Sequence, residues 1–161
     1  MSRMIRTAGA VAVALLLVPA AGMRVAAQAA DPWMGTWVLD RANSTFSGNV
    51  PERRSMTFEK AAGGIRHTTV TLQGEVTYKL TYVFQIDGKD YPADVQMPLS
   101  VVAFRRVNGN TLERSGKYLG MVVETVTYQV AGKVMTVTQS GTLNGTEVSS
   151  RQIFSKVNPA N

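Results

Sequence analysis

Hydrophobic and polar residues alternate with a period of two between Glu75 and Ile86. In this stretch, EVTYKLTYVFQI, one face would carry only apolar and aromatic residues: Val76, Tyr78, Leu80, Tyr82, Phe84 and Ile86. The opposite face would carry mainly polar residues: Thr77, Lys79, Thr81 and Gln85. Successive side chains of a strand point to opposite faces of a sheet, so this pattern predicts a half-buried β-strand.

Other segments are rich in the β-branched and aromatic residues that favour strands. They are TVTLQ (69–73), LSVVAFRRV (99–107), MVVETVTYQV (121–130), VMTVTQSG (134–141) and EVSSRQIFSKV (147–157). Turn dipeptides separate them at fairly even intervals: Gly63-Gly64, Gln73-Gly74, Asp87-Gly88, Asn108-Gly109, Ala131-Gly132 and Asn144-Gly145. Asn-Gly and Asp-Gly supply the positive φ angles that tight hairpins need, so neighbouring strands should pair as an antiparallel meander.

No segment beyond Asp31 carries an amphipathic helical stripe that could cover one face of such a sheet. The sheet must therefore hide its apolar face by closing on itself or by splitting into a sandwich. The regular up-and-down order predicts an all-β fold, an antiparallel up-and-down barrel of about 8–10 strands. A two-sheet sandwich is the alternative.

The first 29 residues differ from the rest of the chain. Arg3 and Arg6 precede an uncharged apolar run, AGAVAVALLLV (8–18), and small residues follow it. This arrangement is typical of a secretory signal peptide. We expect cleavage after Ala29, with Ala27 as the alternative. An uncleaved membrane anchor, the other interpretation, would need about 20 apolar residues, more than this run supplies.

The predicted organisation is a signal peptide over residues 1–29 and one barrel domain over residues 30–161. Without the signal peptide the chain carries 14 basic and 11 acidic residues, a net charge of +3 instead of +6. The basic residues are not clustered as a nucleic-acid-binding face requires, so we expect no nucleic-acid partner. We expect the mature protein in the periplasm or outside the cell, with no membrane span. Its oligomeric state stays open.

Residues that could carry catalysis are sparse. The chain has no cysteine and a single histidine, His67. A metal site needs several nitrogen, sulfur or oxygen ligands, and a Ser-His-Asp triad on an α/β-hydrolase elbow would need a G-x-S-x-G motif. We therefore expect no metal, no cofactor and no enzymatic activity, and we interpret His67 as a hydrogen-bonded or solvated strand residue. An enzyme that uses carboxylates or tyrosines at a barrel mouth is the least favoured interpretation.

The segment Gly35-Thr36-Trp37 resembles the Gly-x-Trp on the first strand of lipocalin-like (calycin) barrels. The wider run GTWVLDRANSTF (35–46) looks like the opening of small secreted bacterial proteins of that type. The size, the meander and the ending RQIFSK (151–156) are similar to fatty-acid-binding-protein barrels. In lipocalin-like barrels this tryptophan closes one end, often under an arginine. The resemblance implies that role for Trp37, with Arg151 as the candidate cation over its ring.

Two features of fatty-acid-binding proteins are missing here. Those proteins insert a two-helix lid after the first strand, whereas only about eight residues, 47–54, precede the next predicted strand. They also hold a ligand carboxylate with an Arg-x-Tyr near the C-terminus, a frame that reads Gln152-x-Phe154 in this chain. Arg151 is one residue off, and a one-residue slip turns a strand side chain to the opposite face. Fatty-acid binding is therefore not carried over on these residues.

The aromatic face of residues 76–86 is the predicted place for a ligand. Six residues are candidates for ligand contact: Tyr78, Tyr82, Phe84, Arg105, Glu124 and Tyr128. Aromatic rings would line an apolar cavity while hydroxyls orient a polar head group; alternatively, the same side chains fill a solid barrel. Glu124 and Arg105 interrupt apolar strands. If both point inward, they would pair with each other or with Arg114, because unpaired buried charges cost several kcal/mol.

These patterns favour an exported barrel that binds a small, mostly apolar molecule in its interior. The alternative is a solid barrel or sandwich that serves as a protein-interaction or envelope-stress module without a small-molecule ligand. The two interpretations differ in whether the interior holds a cavity or only side chains.

Overall fold

The computed structural model describes residues 31–93 and 100–157, and the predicted signal peptide lies outside these ranges. Ten strands follow one another in the described residues: β1 (Gly35–Phe46), β2 (Arg53–Ala61), β3 (Gly64–Gln73), β4 (Val76–Phe84), β5 (Asp90–Pro92), β6 (Val101–Asn108), β7 (Thr111–Tyr118), β8 (Met121–Ala131), β9 (Val134–Leu143) and β10 (Thr146–Val157). The same ranges contain no helix, and hence no apolar helix of the length that crosses a membrane.

The strands form one antiparallel sheet that curls into a nearly closed barrel. Sequence neighbours pair, except β4 and β5, and β1 also pairs with β10. The order around the sheet is β4-β3-β2-β1-β10-β9-β8-β7-β6-β5, and its two edges, β4 and β5, approach each other without a ladder. Closure hides the apolar face without any covering helix. The predicted all-β up-and-down barrel is therefore confirmed, and the sandwich alternative is not.

One end of the barrel, the closed end, is filled by large apolar side chains. Eight of them are completely buried: Trp33, Trp37, Phe58, Phe84, Phe104, Leu112, Met135 and Phe154. Most come from the starts of odd-numbered strands and the ends of even-numbered strands, which an up-and-down barrel brings together. The rings of Phe84 and Phe104 stack with centroids 3.6 Å apart. This end of the interior is a solid core.

Two tryptophans plug the closed end, as the resemblance implied for Trp37. Nε1 of Trp37 donates a hydrogen bond to the carbonyl oxygen of Trp33 at 2.7 Å. Trp33 itself lies in the turn before β1 and not on the strand. The guanidinium of Arg106 lies 4.5 Å from the centre of the Trp33 ring. Cation–π contacts of this kind stabilise a plug by about 0.5–2 kcal/mol.

The cation over Trp37 is Lys156, and the prediction of Arg151 was wrong. Nζ of Lys156 lies 5.1 Å from the centre of the Trp37 ring. The two residues are register partners on β10 and β1, so their side chains leave the sheet on the same face. Arg151 is exposed because it is five positions from Lys156 and therefore points to the opposite face.

A glycine allows β8 and β9 to approach closely beside the interior. Gly141 on β9 is the register partner of Glu124 on β8. A Cβ atom at Gly141 would lie 2.2 Å from the carbonyl oxygen of Val123 and 2.8 Å from the Cα of Glu124. Both are backbone atoms that cannot rotate away, so glycine is required where the two strands converge.

Gly141→Ala should therefore lower the free energy of unfolding by about 1–3 kcal/mol, the range for overpacking. Gly48→Ala is a matched control, because no atom lies within 4 Å of its Cβ position. The control should be neutral or slightly stabilising, since alanine restricts the unfolded chain. Urea denaturation followed by tryptophan fluorescence measures both changes. Equal stability of the two variants would contradict the close approach.

Candidate functional site

Between the closed end and the opposite end, the mouth, the barrel interior holds a cavity of about 340 Å³. Apolar side chains on its wall are Met56, Leu80, Val126 and Val137. Polar and aromatic ones are Arg54, His67, Thr69, Thr71, Tyr78, Lys79, Arg114, Glu124, Tyr128, Gln139 and Gln152. Ligand pockets occupy roughly 300–1,000 Å³, so the volume suits a small molecule. The interior is thus solid at one end and hollow toward the other.

A chain of side-chain hydrogen bonds, the polar belt, runs around the wall of this cavity. Its members, in order, are Thr71, Arg54, Gln152, Ser150, Gln139, Glu124, Arg114, Tyr82, His67 and Thr69. The belt begins and ends on β3 and passes through β2, β10, β9, β8, β7 and β4. Each residue of the belt thereby obtains at least one hydrogen-bond partner for its side chain, as low-dielectric surroundings favour.

Arg54 anchors the β2 side of the belt. Its Nε donates to Oγ1 of Thr71 at 3.0 Å, and its Nη1 donates to Oε1 of Gln152 at 2.7 Å. Both partners are neutral. The salt bridges found between described residues do not include Arg54. Its positive charge therefore faces the cavity without a carboxylate in salt-bridge contact, and the charge of Glu124 acts on it only from farther away.

Arg114 and Glu124 form a buried ion pair farther around the belt. Glu124 also accepts a hydrogen bond from Nε2 of Gln139 at 2.5 Å, and Nη1 of Arg114 donates to the Tyr82 hydroxyl at 3.2 Å. These extra bonds offset part of the cost of removing both charges from water. Of the two partners that the sequence allowed for an inward Glu124, Arg105 and Arg114, it is Arg114 that pairs with it. Nε of Arg114 has no hydrogen-bond partner among the described residues.

His67 is completely buried and closes the belt. Its Nδ1 lies 2.8 Å from the Tyr82 hydroxyl, and its Nε2 lies 3.3 Å from Oγ1 of Thr69. With the tautomer that carries its hydrogen on Nε2, Nδ1 accepts from the Tyr82 hydroxyl and Nε2 donates to Thr69. Burial, and secondly the charge of Arg114, lowers the pKa of His67 to about 3. The ring is neutral, and of the two interpretations of His67, hydrogen-bonded or solvated, the first is the one observed.

The cavity brings together three of the six predicted ligand residues. Tyr78, Glu124 and Tyr128 line it, and burial raises the pKa of the Tyr128 hydroxyl, which stays protonated. Tyr82 is in the belt, and Phe84 lies deeper, in the solid core. The aromatic face of β4 therefore contributes to both the core and the cavity. The two alternatives for it, that it lines a cavity or fills a solid barrel, each hold for part of the face.

Arg105 lies on the outer surface of the barrel, and the expectation that it points inward was wrong. Side chains of β6 alternate, so the buried Phe104 places its neighbour Arg105 outside. There Nε of Arg105 donates to Oε1 of Glu113 at 2.7 Å. Arg105 is not among the residues that line the cavity.

Among the cavity residues that sequence reasoning missed are Arg54, Gln139 and Gln152. Arg54 follows Arg53, and the alternation along β2, with Met56 and Phe58 buried, shows that Arg54 is the one that points inward. Gln152 shares the face of the buried Phe154, two positions later. The period-two rule, applied outward from each large apolar residue, could have found both.

The free energy of unfolding should fall as the pH drops from 7 to 5. An unfolded histidine takes up a proton near pH 6.5, whereas folded His67 resists protonation down to about pH 3. Because the folded pKa lies below the unfolded one, this stability is present above pH 6.5. It is lost on acidification, by about 1.4 kcal/mol per pH unit.

Urea titrations at three pH values in this range measure the slope. His67→Gln keeps a hydrogen-bonding side chain and removes the only histidine of the chain, so its slope should be nearly flat above pH 5. Parallel slopes in the two proteins would contradict a neutral, buried His67.

No protein-family model matches this chain, and neither does any curated protein sequence. Solved structures do. As-p18, an extracellular fatty acid binding protein, has a TM-score of 0.51 at 17% identity, over 79% of this chain and 97% of its own. A fatty acid transporter has a TM-score of 0.52 at 12% identity, over 79% and 97%. A zebrafish ileal bile-acid-binding protein complexed with cholic acid has a TM-score of 0.50 at 10% identity, over 78% and 99%. At such identities the likeness concerns the fold: this chain shares the barrel fold of these proteins.

Proposed function

We propose that this chain is an exported, lipocalin-like barrel that binds a small, mostly apolar molecule with an anionic head group in its interior. The observation that carries the proposal is the cavity of about 340 Å³ with two belt arginines and one glutamate on its wall. Arg114 and Glu124 compensate each other, and His67 is neutral. Apart from Lys79, which lines the cavity but is exposed, the charge left for a ligand is that of Arg54. A carboxylate or a comparable anion would neutralise it.

The rest of the cavity suits the apolar part of such a molecule. Met56, Leu80, Val126 and Val137 would cover it, and removing apolar surface from water contributes about 25 cal/mol per Å². Tyr78, half exposed at the mouth, would contact the end of the ligand that is farthest from the core. The alternative function, a solid barrel without a ligand, does not account for a cavity with charged side chains on its wall.

The likeness of fold to an extracellular fatty acid binding protein, a fatty acid transporter and a bile-acid-binding protein supports an amphipathic acid as the ligand class. The frame Gln152-x-Phe154 lacks the arginine of the fatty-acid-binding proteins. Arg54 donates to Gln152, so we infer that the guanidinium is supplied by β2 instead of β10. The signal-peptide pattern over residues 1–29 supports export to the periplasm or beyond. We place the protein among binding proteins and not among enzymes.

Titration with a fluorescent polyene fatty acid and with its methyl ester tests the proposal. The acid should bind at least about tenfold more tightly than the ester, because a hydrogen bond to a charged group contributes about 1.5–3 kcal/mol. Arg54→Gln should weaken binding of the acid by about 10–100-fold and leave the ester unchanged.

Arg105→Gln is the matched control, since this arginine is exposed on the outer surface and its loss should not change either affinity. Uptake of neither probe would rule out an interior binding site for such molecules. Equal affinity for acid and ester would remove the anionic head group from the proposal.

A further inference from the structure

The hairpin between β7 and β8 exposes a compact group of apolar side chains. Its members are Tyr118, Leu119, Met121 and Val122, with exposed fractions of 49%, 76%, 64% and 57%. Together with Gly120 they form the uncharged segment YLGMV (118–122), which we call the β7–β8 tip. Leu119 and Met121 are the most exposed large hydrophobic residues of the described chain. Contiguous exposed apolar side chains mark interaction surfaces.

The backbone conformation of the tip disfavours a leucine at position 119. Leu119 and Gly120 have φ angles of 49° and 80°, both positive, as a type I′ hairpin turn requires. Asn144 and Gly145 have the same pattern in the β9–β10 hairpin, with φ angles of 52° and 77°. Asparagine tolerates this conformation, whereas leucine is strained in it. A strained and exposed leucine, where the chain itself uses asparagine, points to a role outside folding.

The tip stands at the mouth of the cavity. Along β8, Val130 belongs to the core, whereas Tyr128, Val126 and Glu124 line the cavity, and Val122 beyond them is exposed. The start of β4 lies at the same end of the barrel. Its apolar residues Val76 and Tyr78 are 50% and 57% exposed there.

We propose that the β7–β8 tip inserts into the surface of a lipid bilayer and holds the mouth of the cavity against it. This inference rests on the proposed function, because an amphipathic ligand would then pass directly between the membrane and the cavity. The tip carries no charge, so its partner must be apolar. A tyrosine beside three aliphatic side chains suits the boundary between head groups and acyl chains.

The small size of the tip favours a bilayer over a protein partner or a second copy of this chain. A stable protein interface uses roughly 20–30 residues on each side. The tip offers four side chains. Binding to a bilayer requires only that a few such side chains insert shallowly. The apolar layer of the bilayer then surrounds the hairpin on all sides.

Flotation of the purified protein with neutral phosphatidylcholine vesicles tests this docking. The wild-type protein should float with the vesicles, and salt between about 0.05 and 0.5 M should not release it, because the tip is uncharged. Leu119→Asn should weaken vesicle binding by about tenfold or more, since the burial of one large apolar side chain is lost. The same variant should melt at a higher temperature than the wild type, because asparagine relieves the strain of the turn. A loss of docking in this variant therefore cannot come from unfolding.

Val107→Asn is the matched control, an exposed apolar residue on β6 near the closed end, and it should bind vesicles like the wild type. Absence of wild-type flotation, or equal flotation of Leu119→Asn, would overturn the proposal. A wild-type dimer that Leu119→Asn converts to monomers would also overturn it, since a second copy would then cover the tip.

Titration of Leu119→Asn with the fluorescent acid in the absence of vesicles separates the two proposals. The variant should bind the acid with the affinity of the wild type. If neither protein binds the acid, the proposed function is wrong, and the flotation result alone tests the docking.

Discussion

The buried ion pair between Arg114 and Glu124 is the interaction on which the interior of this barrel depends. Neither charge would be tolerated alone at that depth, and each one orients a neighbour. Arg114 holds the Tyr82 hydroxyl, which in turn faces a neutral His67, and Glu124 holds Gln139. Polar side chains that bond one another around the wall do not collapse into the centre as apolar ones would. The cavity therefore lies where the belt replaces the aromatic core.

The two ends of the barrel separate stability from function. At the closed end, phenylalanine rings and two tryptophans under cationic side chains are completely buried, and a chain without cysteine depends on such packing. At the mouth, apolar side chains are exposed instead of buried, most of all Leu119. A barrel that gains its stability at one end can keep a hollow and a strained turn at the other. Proteins commonly concentrate such unfavourable features where ligands or partners bind.

The fold was largely predictable from local signals. Alternation over residues 76–86 and the Asn-Gly and Asp-Gly turns indicate strands and hairpins without any long-range contact. Leu119-Gly120 was missed because leucine has no turn preference, although its φ is positive. The site was less predictable. Arg54 and Arg105 each stand in an arginine pair, Arg53-Arg54 and Arg105-Arg106, and which member points inward depends on strand register.

By itself, the sequence determined the alternating strands and the turns between most of them, and its resemblance to lipocalin-like barrels implied the tryptophan that plugs one end. The strands and turns depend on residues a few positions apart. Closure of the sheet into a barrel then buries its apolar face without a covering helix. Only the tertiary structure decided which polar side chains meet. Arg54 reaches Gln152, 98 positions away, because β1 pairs with both β2 and β10 and so places them on either side of it. Such contacts depend on the register of each strand pair that lies between the two residues. No local sequence pattern determines that register.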